Sequence, residues 1–471
     1  MIRTAPILLA TAAALLAAAP ACAQSQDELD ARYDRALAAG YKALMLCSAI
    51  ANAERAGAER TPESVERWEL AGIQAPLDTI VGELPYKIER TGENPPGSSP
   101  QLRLVEVQWA DDMAPRIAMH DSQKGCHLQP VGAGMPVIVS LRPQVDHPSE
   151  PTKPFTDRRV QAATEGAFGE NYGEGARTTG VLVTSRGAVL GERYAADFGP
   201  DVPQRTWSVA KSIAATLVGA AVQRGETTVD GKLPNGLPRA VVPAWSDIAR
   251  GDPRARISLD NLLRMASGRY SDTPGNRTDP LYFGGTSVEE SAGIWPLIHQ
   301  PGTVFRYANN DTLMAVKSIA NGFEHHPPSE LFARLGMHDI VAETDWRGDY
   351  ILSSQVWSTA RDLARLGQLY LDDGVLSDGT RILPEGWVKY VSSPSGPQPD
   401  GPLGYGAGFW LFDKSDGIPP DTFAAMGNRG QYVVIVPSRH IVIVRRGEDP
   451  VGARFDIVAF TRDVLAALPS P

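Results

Sequence analysis

Strand-forming runs stand at both ends of the second part of this chain, and helix fills the interval. The early run, TGVLVTSRGAVLGERY at 179–194, holds two apolar stretches around a Ser185-Arg186-Gly187 turn. The late runs, GAGFWLF, QYVVIVP and HIVIVRRG, lie between 406 and 447. Between them apolar residues recur at helical spacing, in segments such as SVAKSIAATLVGAAVQ, ISLDNLLRMASG and STARDLARLGQLYLDDG. Ser258 and Thr359 stand where N-caps belong, and Gly268 and Gly374 where helices stop. An amphipathic helix over 453–468 closes the pattern. This order brings the two sets of strands into one sheet. The inserted helices then form a second lobe, with a cleft at the junction.

The part before residue 156 is organised differently. Residues 25–72 read as helix, broken near Arg60-Thr61-Pro62, where Thr61 is an N-cap and Pro62 the first helical position. LRLVEVQWA and PRIAMH follow as strands, and PQVDHPSEPTKP at 143–154, with four prolines, marks a linker. At 471 residues the chain has material for two or three structural units. The expected division is an export signal at 1–23, an N-terminal α+β unit of unassigned role at 24–155, and a unit at 156–471 that carries the chemistry.

The export signal rests on MIRTAPILLATAAALLAAAPACAQSQ: Arg3 gives a positive start, 7–19 an apolar stretch, and Ala21-Cys22-Ala23 a small-residue cleavage site. Lipidation of Cys22 is the alternative, and Ala19-Pro20-Ala21 ahead of it matches that poorly. No later segment reads as a membrane span, so the mature protein is expected in a periplasm or outside the cell. Cleavage leaves Cys47 and Cys126, which an oxidising compartment favours as a disulfide.

Chemistry is suggested by RTWSVAKSIAATLVGAAVQRG at 205–225. Ser208 and Lys211 lie one turn apart on the same helical face, with Cβ atoms about 5–6 Å apart. The apolar residues around Lys211 favour a neutral amine, able to take the Ser208 proton. The Ser208 N–H, at the positive end of the helix, suits a developing oxyanion. A serine at a helix start is more often only a cap, but this is the one Ser-x-x-Lys in the chain. No Gly-x-Ser-x-Gly elbow, zinc site or phosphate loop competes with it. Downstream, PGTVFRYANNDTLMAV supplies Tyr307 and Asn309. A phenol sharing its proton with a cation serves as base and then acid, and an amide can bond both an amine and a substrate carbonyl. The plain alternative is a packed tyrosine and a turn-forming asparagine.

Taken in order, WSVAKS, ISLDNLLRMASG, PGTVFRYANND, STARDLARLGQLYL and GYGAGFWL before GNRGQYVVIVPSRHIVIV resemble the serine β-lactamase and penicillin-binding-protein superfamily. The likeness is greatest to its esterase and 6-aminohexanoate-oligomer-hydrolase-like branch, and it extends from about residue 156 onward. It implies an α/β (α+β) fold: an antiparallel sheet flanked by terminal helices, plus an inserted helical lobe. By the same resemblance Ser208 is the acylated nucleophile, Lys211 its base, Tyr307 the second proton carrier, and Asn309 a positioner of Lys211 and substrate. One motif departs. Where the family often carries Lys-Thr-Gly or His-x-Gly, this chain reads Ala425-Met426-Gly427-Asn428. The oxyanion donor is then the Asn428 N–H, with the Ser208 N–H. The cation that engages a substrate carboxylate is missing, and Arg429 is the candidate substitute, although a strand neighbour points to the other face. Trp207 is a candidate cleft wall.

The expected function is an exported serine hydrolase that cleaves an amide or ester bond of a small molecule or short peptide through an acyl-enzyme, without metal or cofactor. A β-lactamase or cell-wall D-amino-acid amidase is the second reading, and a non-turning-over sensor on the same fold the third. Forty-five basic against 55 acidic residues, a net charge of -10 without basic runs, argue against nucleic-acid partners. GYGAGFW is not a dinucleotide loop, since strand follows it; backbone crowding explains its glycines. His325-His326 precedes two prolines and is not read as a metal site, and Arg347-Gly348-Asp349 is read as a turn.

Overall fold

The computed structural model describes residues 24–92, 100–134, 157–230, 245, 251–270 and 278–468. The expected export signal at 1–23, with Cys22, and the expected linker at 143–154 lie outside the described residues.

The first sheet runs in sequence order, all antiparallel: β1 (Tyr86–Arg90), β2 (Leu102–Val107), β3 (Arg116–Asp121) and β4 (Gly125–Leu128). The helix Gln26–Arg55 packs on it, opened by a capping box between Ser25 and Glu28. This helix is long and apolar enough to cross a membrane, yet 94% of its apolar window is buried inside the protein. Helix Pro62–Trp68 follows, with the Thr61 side chain accepting from Ser64 N as the sequence suggests. A disulfide joins Cys47 of the long helix to Cys126 of β4.

The main sheet uses β5 (Thr178–Ser185), β6 (Ala188–Tyr194) and, far later, β10 (Gly404–Tyr405), β11 (Trp410–Leu411), β12 (Phe423–Gly427), β13 (Gln431–Val436) and β14 (Ile441–Gly447). Their spatial order is β10-β11-β12-β13-β14-β5-β6, antiparallel throughout. The early and late runs therefore join, β5 lying against β14 with Val183 opposite Ile443. Tyr432, Val434 and Val436 face a core shared with helices Arg158–Gly166 and Ile457–Ala467. Val433 and Ile435 face the other side, toward helices Val209–Gln223 and Ala360–Leu371. Side chains alternate across a strand. With both faces covered, β13 reads as an unbroken apolar run rather than an alternating one. A small third sheet, β7 (Gln204–Arg205), β9 (Val356–Ser358) and β8 (Val341–Ala342), delivers the chain to residue 208.

Three expectations shift. The helix capped by Ser258 ends at Leu263, because Met265 takes the left-handed conformation (φ 58°) ahead of Gly268. The last helix begins only at Ile457, capped by Asp456. GYGAGFW forms the tight hairpin of β10 and β11.

Both parts of the molecule share one apolar core. Tyr41 of the long helix meets Phe283 edge-on at 4.6 Å, and Arg116 donates to Phe283 O at 3.0 Å. Glu343, buried, accepts from Asn52 Nδ2 (3.3 Å), Cys126 N (3.1 Å) and Trp357 Nε1 (3.1 Å).

Candidate active site

β7 ends at Arg205, and two residues later Trp207 has φ 49°, a left-handed conformation costly for a bulky residue. That turn puts Ser208 immediately ahead of helix Val209–Gln223. Ser208 occupies the cap position, but its side chain makes no cap hydrogen bond. Its Oγ lies 3.0 Å from Lys211 Nζ instead. The capping alternative is excluded by this geometry.

Lys211 is 2% exposed. Its Nζ also lies 2.6 Å from Asn309 Oδ1 and 3.0 Å from Ser353 O. Both are acceptors with nothing to give. Asn309 opens the helix Asn309–Ile319, and its Nδ2 donates to Thr278 Oγ1 at 3.0 Å, which fixes its oxygen toward the amine. Burial alone pushes Lys211 down to about 7, since charge is disfavoured away from water. A neutral amine has two N–H groups and one lone pair. The two acceptors take the N–H groups, and the lone pair is left for the Ser208 hydroxyl.

The Tyr307 ring centre lies 5.0 Å from Lys211 Nζ and 5.4 Å from the Trp410 ring. Burial pushes its phenol up to about 12, against opposing hydrogen bonds with Ser208 and Trp410. Hydroxyl, amide and phenol thus line one cleft of about 830 Å³, with the Lys211 amine bonded to the hydroxyl and the amide. Its walls are largely aromatic, including Trp207, Phe283, Phe305 and Trp410, with Arg306 and Asp279 as the charged residues among the described lining.

The end of β12 presses on the start of the serine helix. A Cβ placed on Gly427 would lie 2.4 Å from Thr206 O and 3.0 Å from Ser208 N, so only glycine fits. Asn428 follows and lines the cleft beside Ser208. Arg429 does not serve as the cleft's cation. It is not a strand residue but part of a 3₁₀ turn, and its guanidinium is buried, bonded to Glu448 Oε2 (2.6 Å), Trp68 O (2.9 Å) and Ala71 O (2.8 Å). Trp207 does line the cleft, with the Arg205 guanidinium 3.7 Å from its ring.

The Ser353 carbonyl and Thr278 were not foreseeable from the residues. A backbone oxygen leaves no mark in sequence, and a lone threonine has no spacing to betray it. Ser353 is held in turn by Tyr282, whose hydroxyl lies 2.6 Å from its Oγ. Gln74, from the first part of the chain, also reaches the cleft. His326 bonds Glu330, and among the described residues no group of three or more His, Cys, Asp or Glu is placed to hold a metal ion.

The Beta-lactamase family description matches residues 157–467. The 6-aminohexanoate-dimer hydrolase of Paenarthrobacter ureafaciens is 29% identical over 228 residues, 45% of this chain and 57% of that protein. Penicillin-binding protein 4 of Amycolatopsis lactamdurans is 27% identical over 278 residues, 50% of this chain and 69% of that one. A solved Bacillus anthracis structure classed with the 6-aminohexanoate-dimer hydrolases superposes with a TM-score of 0.52 at 19% identity, over 62% of this chain and 78% of its own. That is a likeness of fold. The first relative extends well beyond the matched region, since only 57% of it is covered.

Proposed function

From the premise that this chain belongs to the Beta-lactamase family, we propose that it is a serine hydrolase cleaving an amide or ester bond of a small molecule or short peptide through an acyl-enzyme on Ser208. One observation carries the reading: the buried Lys211 Nζ lies 3.0 Å from Ser208 Oγ, with its other two partners, Asn309 Oδ1 and Ser353 O, both acceptors.

In this mechanism neutral Lys211 accepts the hydroxyl proton as Ser208 Oγ attacks the substrate carbonyl carbon. The carbonyl oxygen becomes an oxyanion held by the backbone N–H groups of Ser208 and Asn428. Tyr307 gives its proton to the leaving nitrogen or oxygen and recovers one from protonated Lys211. Water then attacks the acyl-enzyme along the reverse proton path, and the acid product leaves with Ser208 restored. The residues preceding 156 form an extension to a hydrolase unit at 156–471 in this reading. The Cys47–Cys126 bond supports action in an oxidising compartment, a periplasm or outside the cell.

Replacement of Ser208 by alanine should abolish turnover and labelling by a fluorophosphonate probe while the circular dichroism stays native. Labelling that survives the change overturns the assignment. Substrate class is read from a panel of nitrocefin, a D-Ala-D-Ala peptide, a p-nitrophenyl ester and a linear 6-aminohexanoate dimer. Preference for the ester or linear amide is expected, because Arg429 is turned away from the cleft. Dominant nitrocefin turnover would reverse that preference in favour of a β-lactamase.

A further inference from the structure

The segment 68–74 of the first part of the chain runs along the back of the turn that carries Asn428. We propose that Arg429 is a positioning residue, through which this segment holds the Asn428 backbone N–H in place for the oxyanion. The inference rests on the acyl-enzyme reading above.

Arg429 adopts φ 56° and ψ 27°, a conformation that a non-glycine residue keeps only when its surroundings impose it. Here they do so from two directions. On one side, Gly427 abuts Thr206 O and Ser208 N. On the other, the guanidinium donates to Trp68 O and Ala71 O, and its Nε to Glu448 Oε2. The turn's own carbonyls are held as well: Arg429 O accepts from Asp449 N (3.2 Å) and Gly430 O from Arg445 Nη1 (2.9 Å). The Asn428 side chain folds back, its Oδ1 accepting from Arg429 N at 2.9 Å.

The clamping segment is itself fixed. Glu69 and Arg60 form a buried two-point ion pair, at 3.0 and 2.7 Å. Arg177 lies 4.4 Å from the Trp68 ring and donates to Arg67 O at 2.7 Å. Gly72 O accepts from Val451 N at 2.9 Å, and Gly72 has φ 67°, with any Cβ only 2.5 Å from that of Pro450. A side chain there pushes the segment off the 450 loop. A peptide donor held still by neighbours pays no reorganisation when charge appears, which is the condition for oxyanion stabilisation.

The test uses the full chain with Arg429→Ala, Arg429→Lys and, from the opposite side of the contact, Gly72→Ala. Loss of one oxyanion donor costs about 10²–10³ in kcat, so Arg429→Ala should lose about 10²-fold in kcat with KM within about threefold. Arg429→Lys should recover part of the loss, and Gly72→Ala should lower kcat in the same manner. The acid limb of the pH profile should not move, because Lys211 is untouched, while amide exchange over 426–432 quickens and the serine helix stays protected. If Arg429→Ala fails to fold, the other two variants decide. Folded variants that keep kcat within about twofold of the parent, or that displace the acid limb, overturn the proposal. Ser208→Ala separates the two readings: turnover persisting there sinks the serine mechanism, whereas turnover lost there but intact in the Arg429 and Gly72 variants sinks the clamp alone.

Discussion

In the proposed mechanism the proton that Ser208 gives up has one place to go, because both N–H groups of a neutral Lys211 are committed to Asn309 Oδ1 and Ser353 O. The consequence for pH is direct. With Lys211 pushed down to about 7, kcat/KM should rise through an apparent pKa near that value and then level off. Tyr307, pushed up to about 12, keeps its proton across the working range. A bell centred on pH 5 in steady-state measurements would contradict this assignment. Asn309→Asp places a carboxylate against the amine, and an opposite charge at that range raises a lysine by about 1–3 units. The acid limb should move up accordingly, and activity at pH 7 fall about fivefold for a one-unit rise and about tenfold more for each further unit. Folding carries the opposite face of the same shift. Between about 7 and the ordinary value of 10.5, the unfolded chain holds a proton that the folded chain lacks, so this residue makes stability rise with pH over that window. The pair Ser208 and Lys211 was legible because a three-residue spacing on a helix is geometry written in sequence. Arg429 was not: it leaves the strand in a left-handed turn and is bonded into the first part of the chain, and nothing in Gly-Asn-Arg-Gly announces that.

At the level of elements, caps were the most readable signals, since Thr61, Ser258 and Thr359 each accept a backbone N–H where the sequence places them. Stops were less so. Met265 takes a left-handed backbone three residues before the left-handed Gly268, and a contact far away in sequence holds it there: Arg306 N donates to Met265 O at 2.7 Å. The strands were readable as strands, but not their partners, because pairing depends on which faces the helices cover. The disulfide is a cross-link between two such elements, the long helix and β4, across 79 residues of chain. Loop entropy for that length predicts about 4.5 kcal/mol. Cys47→Ser with Cys126→Ser should lower the urea midpoint by that energy divided by the m-value, with turnover at 25 °C retained in the folded fraction. An unchanged midpoint would mean that the unfolded chain gains nothing from release.

Across the whole molecule, the shared core sets the behaviour. Tyr41 on Phe283, Asn52 on Glu343 and Arg429 on Trp68 join the first part of the chain to the second through buried contacts. Unfolding should therefore be one transition, with midpoints by tryptophan fluorescence, far-ultraviolet circular dichroism and residual activity coinciding. Two separated midpoints would show independent units instead. The expected linker at 143–154 gave a boundary in sequence, yet no composition shift could reveal that structure on either side of it packs together. The long helix Gln26–Arg55 adds a matter of timing. It leaves the ribosome early; the sheet β2–β4 that covers much of it is complete at Leu128, but the cover at Phe283 and Glu343 arrives hundreds of residues later. For that interval the side of this apolar helix turned away from the first sheet lies open to water, and a holding chaperone or swift completion keeps it from sticking to its neighbours.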